Sequence, residues 1–373
     1  MILAALIRKE TREILRDPIT LGTAIFLPLV LLFLFGYGVT LDVEDVPMAV
    51  YDQDKSQESA RLVEAFTRSG YFRLKHDLAS VRQLDDLMDR GQATLALVIP
   101  HDFSEDLAAG NKAKVQIIID GTFSATALIV SNYATAIVNR YSTETAAKAL
   151  AARGAPPLPH VTAVSRVWYN APMKSVNYIV PGLFAVLLMA FPPMLTALSI
   201  VREKERGTIE QIYVSPVSPP TFILGKIIPY GAIAYLEMLL ILTVGTLWFH
   251  IPFQGSLMLL LVTSLLYVLV TVGIGVFVST ITRTQLAAML LSLLITLMPS
   301  FLFSGFLFPI ASMPYMFQLY TYFFPARYFN DISRDIFLKG LGLEYLWGNV
   351  ALLLVYTLIL FALASLRFRK KVA

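Results

Sequence analysis

The sequence predicts a membrane α-helical protein: six transmembrane helices with an extracytoplasmic α/β domain inserted after the first. Three observations lead there. Of 373 residues, 56% are hydrophobic and only 15% charged, against roughly 25% charged in soluble domains. Six runs reach the about 20 apolar residues needed to cross roughly 30 Å of hydrocarbon at about 1.5 Å per residue. Between the first two runs, residues 42–176 hold most of the acidic residues and no run long enough to cross. This composition excludes an ordinary cytosolic enzyme. Thirty Lys and Arg against 26 Asp and Glu give a net charge of +4 spread along the chain, whereas nucleic-acid binding concentrates such charge on one face. The absence of cysteine excludes disulfides, a Cys-ligated zinc and a thiol nucleophile, and is compatible with a bacterial cell envelope.

Residues 1–18 precede the first span. Ile2, Leu3, Leu6, Ile7 and Ile14 define one helical face, which Glu10 interrupts. The first span, residues 19–41, is entered through Asp17-Pro18, where Asp caps open amides and Pro suits the first helical position. No small-x-small cleavage site follows it, so it reads as an uncleaved anchor. Within residues 42–176, β-type runs at Pro47–Tyr51, Tyr71–Lys75, Thr94–Ile99, Val115–Ile119 and Val161–Tyr169 alternate with helical stretches at Gln57–Ser69, Ser80–Arg90 and Phe103–Ala109, the alternation of an α/β layer. Ser80 with Gln83 fits a capping box. From Thr122 to Arg153 one long helix carries a stripe of Phe123, Ala127, Val130, Ala134, Ile137 and Tyr141. That stripe packs on the domain's own sheet or on span extensions, or else meets a second subunit or adaptor. Residues 154–159, Gly-Ala-Pro-Pro-Leu-Pro, break the helix as a stiff connector.

The remaining spans are Tyr178–Val201, Phe222–Phe249, Ser256–Val278, Gln285–Phe308 and Trp347–Leu366, the third and fourth of the six forming a hairpin across residues 250–255. Arg8, Lys9, Arg12, Arg16, Arg202, Lys204, Arg206, Arg283 and the tail at 367–371 fall at alternate ends of the spans. Basic residues near spans stay cytoplasmic, so both termini are expected in the cytoplasm of a multi-pass inner-membrane protein.

The chemistry of an enzyme is missing. Leu224-Gly225-Lys226-Ile227 lacks the upstream glycine and the hydroxyl of a phosphate loop. The four histidines are scattered without metal-ligand spacing, and no Gly-x-Ser-x-Gly elbow occurs. Spans are nearly free of ionisable groups, which disfavours an ion-driven carrier. Glu237 is the exception: a polar contact for cargo or a partner helix, or a Glu bonded to a neighbouring helix.

The most informative stretch runs from Val201 to Pro220. A charged elbow, Arg202-Glu203-Lys204-Glu205-Arg206, leads through Gly207 to a short helix, with Thr208 and Gln211 as a capping box, Ile209, Ile212 and Tyr213 as an apolar nub beside Glu210, and Pro216, Pro219 and Pro220 as the stop. With Ser215-Pro216, Gly225-Lys226, Asp120-Gly121-Thr122, Ser304-Gly305-Phe306-Leu307-Phe308-Pro309, Met313-Pro314 and Phe324-Pro325-Ala326-Arg327-Tyr328, this resembles the membrane subunits of type-2 ABC exporters over essentially the whole chain. The closest likeness is to the subgroup with a large extracytoplasmic domain after the first span, the multidrug-efflux permeases.

The resemblance implies that residues 208–214 are a coupling helix seated on a separate ABC ATP-binding subunit, which binds ATP and magnesium while this chain binds no cofactor. It also implies pairing with a second permease chain, identical or homologous, an amphipathic interface helix at residues 2–16, and short re-entrant helices over residues 309–344. On this reading Arg202, Glu203, Glu205, Arg206, Gly207, Thr208, Ile209, Glu210, Gln211 and Tyr213 contact or shape the ATPase junction. Glu237, Phe301, Phe303 and Phe306 are candidates for the substrate path, and a periplasmic membrane-fusion adaptor is a candidate partner outside. The cargo expected is hydrophobic or amphipathic, moved outward through the lipid bilayer. Two rivals stand beside it: a receptor or scaffold sensing a ligand with its outer domain, for which the short stretches outside the spans leave little output machinery, and a secondary carrier.

Overall fold

The computed structural model describes residues 2–39, 45–122, 124–152, 168–170, 174–208, 210 and 217–367. Ile209, Gln211, Ile212, Tyr213, the connector at 154–159, Phe123 and the tail beyond Arg367 lie outside the described residues, as does most of the expected strand at 161–169. The chain divides into two units, one formed by Met1–Thr40 with Val167–Ala373 and the other by Leu41–Arg166.

Two helices open the chain. α1 (Ile2–Arg16) is followed by α2 (Pro18–Gly38). Asp17 caps α2 as the sequence predicts, its Oδ1 accepting from the amides of Ile19 and Thr20 at 3.1 and 3.2 Å.

The second unit runs β1 (Val46–Asp52), α3 (Gln57–Thr67), β2 (Phe72–Asp77), α4 (Val81–Asp89), β3 (Leu95–Ile99), α5 (Phe103–Ala109), β4 (Gln116–Ile119) and α6 (Ser124–Ala152). The sheet order is β2-β1-β3-β4; β1 pairs in parallel with β2 and β3, and β4 is antiparallel to β3. Period-two alternation divides the strands between two faces. Met48, Val50, Leu95 and Leu97 point to α3, α5 and α6, where Leu62, Phe66, Phe103, Val130, Ala134 and Ile137 complete one core. Ala49 and Ala96 point the other way, and their small side chains pack with Leu84 of α4. The stripe on α6 therefore packs on its own sheet. Tyr141 at its far end donates to the carbonyl of Glu58 at 3.0 Å. The capping box at Ser80 is half formed: the Ser80 side chain caps nothing, while Gln83 Oε1 accepts from the Ala79 amide at 3.1 Å.

Five further long helices complete the first unit: α7 (Ser175–Glu205), α8 (Pro219–Leu247), α9 (Leu257–Ile281), α10 (Gln285–Phe303) and, after the 309–342 segment, α13 (Leu343–Arg367). With α2 they make six helices long and apolar enough to cross a membrane. α7 is the axle, buried along almost its whole length and packed by α2, α8, α9 and α10. Three prolines interrupt it, and neighbours exploit the resulting irregularity. Tyr267 of α9 donates to the Ala185 carbonyl at 2.7 Å. Gly275 of α9 comes so close that a Cβ there would stand 2.4 Å from the Pro193 carbonyl.

Residues 309–342 are ordered against this bundle. A 3₁₀ turn (Ile310–Ser312), α11 (Tyr315–Thr321), α12 (Pro325–Arg334) and a π turn (Asp335–Lys339) follow one another. Ser333 donates to the Pro181 carbonyl at 2.7 Å and Asn330 to that of Ser304 at 2.9 Å. The hairpin turn between α8 and α9 docks on the same segment, the Gln254 amide donating to Phe337 O at 3.0 Å.

Candidate functional site

The polar groups of the helical unit concentrate where α1 meets the ends of α7, α8, α9 and α10. α1 carries its apolar face inward, and Leu6 lies against Gly225, where a Cβ would stand 3.0 Å from Leu6 Cβ. Glycine at 225 thus admits α1 to close range. The next residue, Lys226, is 1% exposed and reaches Glu10 Oε2 at 2.7 Å and Glu203 Oε1 at 3.3 Å. Glu10, which interrupts the apolar face in the sequence, is thereby a buried partner.

Lys9 joins the same carboxylates, donating to Glu203 Oε1 and to Glu10 Oε1 at 3.1 Å, with Glu13 at 3.5 Å. Burial works against its ammonium, but the hydrogen bond and attraction to Glu203, reinforced by Glu10, raise its pKa above the ordinary lysine value. Glu10, Glu13 and Glu203 converge closely enough to hold a cation. Lys9 already supplies it.

The elbow, which forms the last turn of α7, braces three more helix ends. Arg202 Nη1 reaches Asp17 Oδ2 at 2.8 Å, and Arg202 Nε donates to Gln285 Oε1 at 3.2 Å. The guanidinium, with the Thr20 hydroxyl, holds the Asp17 carboxyl down to about 2. Lys204 donates to the Ser279 carbonyl and to that of Thr282 at 3.4 Å, placing a cation at the C-terminal end of α9. Glu205 accepts from the Gln285 amide at 2.7 Å and from its side chain, placing an anion at the N-terminus of α10. Each sign matches the helix dipole it meets.

Beyond the elbow the chain turns at Gly207, whose φ of +69° favours glycine. Thr208 Oγ1 donates back to the Glu203 carbonyl at 3.2 Å. Arg206, Thr208 and Glu210 are exposed.

The structure thus separates the residues grouped by the sequence. Arg202, Glu203 and Glu205 are engaged within the chain, while Arg206, Thr208 and Glu210 face outward. Glu237, in the middle of α8, is 2% exposed, and neither carboxylate oxygen has a hydrogen-bond partner among the described residues. The aromatics are packing residues here. Phe306 is buried against Gly182, Phe301 contacts Phe35 and Phe306, and Phe303 contacts Phe317, Tyr320 and Phe324. At that opposite end Arg334 is the organising side chain: it stacks 3.5 Å from the Tyr178 ring centroid and donates to the carbonyls of Gly305 and Phe306 at 2.8 and 3.1 Å.

Sequence reasoning missed Glu10, Lys226, Asp17 and Arg334 as site residues. A signal for the first two existed: an acid on an apolar face and a lysine inside an apolar run are separate anomalies that cancel when paired.

Six apolar helices, four of them packed on the proline-broken α7 and tied to it at one end by ion pairs, make a membrane-spanning bundle. Residues 18–366 match the family described as ABC-2 family transporter protein, and the chain belongs to it. It is an ABC transporter permease, 34% identical over 367 residues to an Escherichia coli K12 protein named "Probable multidrug ABC transporter permease YbhR", with 98% of each chain covered. Its identity to "Probable multidrug ABC transporter permease YbhS" of the same organism is 33%, covering 98% of this chain and 96% of that one. With "Inner membrane transport permease YhhJ" it is 28%, over the same shares.

Proposed function

We propose that this permease is the membrane half of an ATP-driven exporter that moves a hydrophobic or amphipathic compound outward across the inner membrane. A separate ABC ATP-binding subunit holds ATP and magnesium and grips the chain at residues 208–214, and a second permease chain completes the pathway. Both termini lie in the cytoplasm and residues 42–176 on the far side, where a periplasmic adaptor is the partner to test. Supporting this orientation, Arg8, Arg12, Arg16, Arg202, Lys204, Arg206 and Arg283 all belong to the end of the bundle where α1 and the elbow meet.

The observation that carries the reading is the double character of the elbow. Its first half is bound to α1, α2, α8, α9 and α10, while its second half turns outward with Arg206, Thr208 and Glu210 exposed. A displacement applied to the outward half would therefore be passed to five helices through these contacts, and coupling requires that such contacts differ between the two states. The names of the two relatives above 30% identity support a drug-like cargo.

The test is isolation of the tagged chain from native membranes with its associated proteins. An ATP-binding subunit is expected to co-purify, and Glu210→Lys is expected to weaken that association or uncouple hydrolysis from export while the purified permease keeps its melting temperature. Vectorial transport by vesicles free of any nucleotidase would overturn the proposal, as would labelling of a Glu210→Cys variant only from outside the cell.

A further inference from the structure

A cavity of about 380 Å³ lies beside the ion-pair cluster, between α1, the start of α2, the end of α7 and α8. Lys9, Glu13, Asp17, Arg202, Glu203 and Arg206 contribute its charged wall, and Leu6, Ile14 and Tyr230 apolar surface. We infer that this cavity binds the headgroup of a zwitterionic phospholipid from the surrounding bilayer, one carrying a phosphate and a primary ammonium.

Three features select that ligand. First, the cavity lies at the level where three apolar helices begin or end, at Pro18, Glu205 and Pro219, the depth at which headgroups meet a spanning protein. Second, the charges balance. On the wall, Lys9, Arg202 and Arg206 stand against Glu13, Asp17 and Glu203, so the cavity offers both signs of charge to a ligand. Within that balance, Arg206 is exposed and has no ion pair among the described residues, and Glu13 is 57% exposed with only a 3.5 Å contact to Lys9. A phosphate suits the first and an ammonium the second; a neutral glycerol in place of the ammonium would leave Glu13 without a counter-ion. Third, Leu15 and Ile19 flank Asp17 and are 65% and 79% exposed, giving acyl chains an apolar surface next to the polar wall. The inference requires a bilayer but not an ATPase, so it stands or falls apart from the exporter reading.

The test is native mass spectrometry of the full-length chain in detergent with an equimolar mixture of phosphatidylethanolamine and phosphatidylglycerol of identical acyl chains. Retention of the ethanolamine lipid is expected to exceed that of the glycerol lipid by about fivefold, the worth of one ammonium contact with Glu13, the phosphate being common to both lipids. Glu13→Gln is expected to bring the ratio near unity, and Arg206→Ala to lower the retention of both lipids together, each with the melting temperature in lipid-free detergent unchanged. Equal retention by the unaltered protein, or a ratio indifferent to Glu13→Gln, overturns the inference. Soluble O-phosphoethanolamine is expected not to displace the lipid, and displacement by it at comparable concentration would overturn the assignment to a membrane lipid.

Discussion

Lys226 of α8 and Glu10 of α1 meet at 2.7 Å with side chains only 1% and 2% exposed. The pair ties a helix that precedes the first span to the third span of the bundle. Both charges are tolerable there because they belong to one network, in which Glu203 also faces Lys226 and Lys9 also faces Glu10, since an uncompensated buried charge is far costlier than a paired one.

Glu10→Gln is therefore expected to destabilise the helical unit by about 3–5 kcal/mol, the usual cost of stripping one partner from a buried pair. Glu10→Gln combined with Lys226→Met is expected to lose less than the sum of the two single losses, because neither charge is then stranded by the other's removal. Thermal unfolding of the purified variants reads both effects, and additive losses in the double variant would show that the residues do not act as a pair.

Asp17 and Asp331 carry opposite dependences on pH. Asp17, held down to about 2 by Arg202, contributes stability that is fully present above its ordinary value of 3.8 and is lost as pH falls through about 2. Burial, with Asp335 adding repulsion, pushes Asp331 on α12 up to about 6. Its folded form binds the proton more tightly, so its contribution is present below about 4 and lost as pH rises through 6. Asp331→Asn is expected to flatten the melting-temperature profile between pH 4 and 7, and Asp17→Asn to flatten it only below pH 4.

Gly275→Ala forces a methyl group to within 2.4 Å of the Pro193 carbonyl and 2.8 Å of Thr196 Cβ. Backbone cannot yield as a side chain can, so α9 must move off α7, with a loss of at least about 1–3 kcal/mol. Gly231→Ala is the control: its Cβ would meet only Val268, at 4.0 Å, and the melting temperature is expected to hold or rise slightly.

Arg334→Lys is expected to loosen residues 305–334 from α7, because an ammonium cannot both stack on Tyr178 and serve the two carbonyls that the planar guanidinium reaches. The cysteine-free chain makes this measurable. A Ser304→Cys probe, at a position 0% exposed, should label slowly by itself and several-fold faster when combined with Arg334→Lys.

Phe66→Ala, at a fully buried position of the sheet unit, is expected to cost that unit about 3–5 kcal/mol. Hydrogen exchange in the full-length protein should then quicken across β1, β2 and β3 while α7 to α9 keep their protection.

Much of this architecture was legible because bilayer and sheet impose simple periods. The length rule locates all six spans, and α5 begins and ends at the residues expected, Phe103 and Ala109. Four of the five expected strands form in the described unit. Boundaries were less legible where side chains rather than hydropathy extend a helix. α7 continues past Val201 to Glu205 because Arg202, Lys204 and Glu205 find partners on other helices. α10 ends at Phe303, short of Phe308, because Asn330 takes the Ser304 carbonyl and Gly305 adopts a φ of +79°.

The division at the site follows the same physics. Hydropathy and the pattern of basic residues are properties of residues in order, so the sequence by itself determined six spans with an inserted α/β unit, and its motifs, by resemblance, marked the stretch from Val201 to Pro220 as the informative loop of a permease. Which of those residues face inward was decided only by the tertiary structure, because an ion pair depends on distance in space: Lys226 and Glu10 are 216 positions apart in the chain and 2.7 Å apart in the fold.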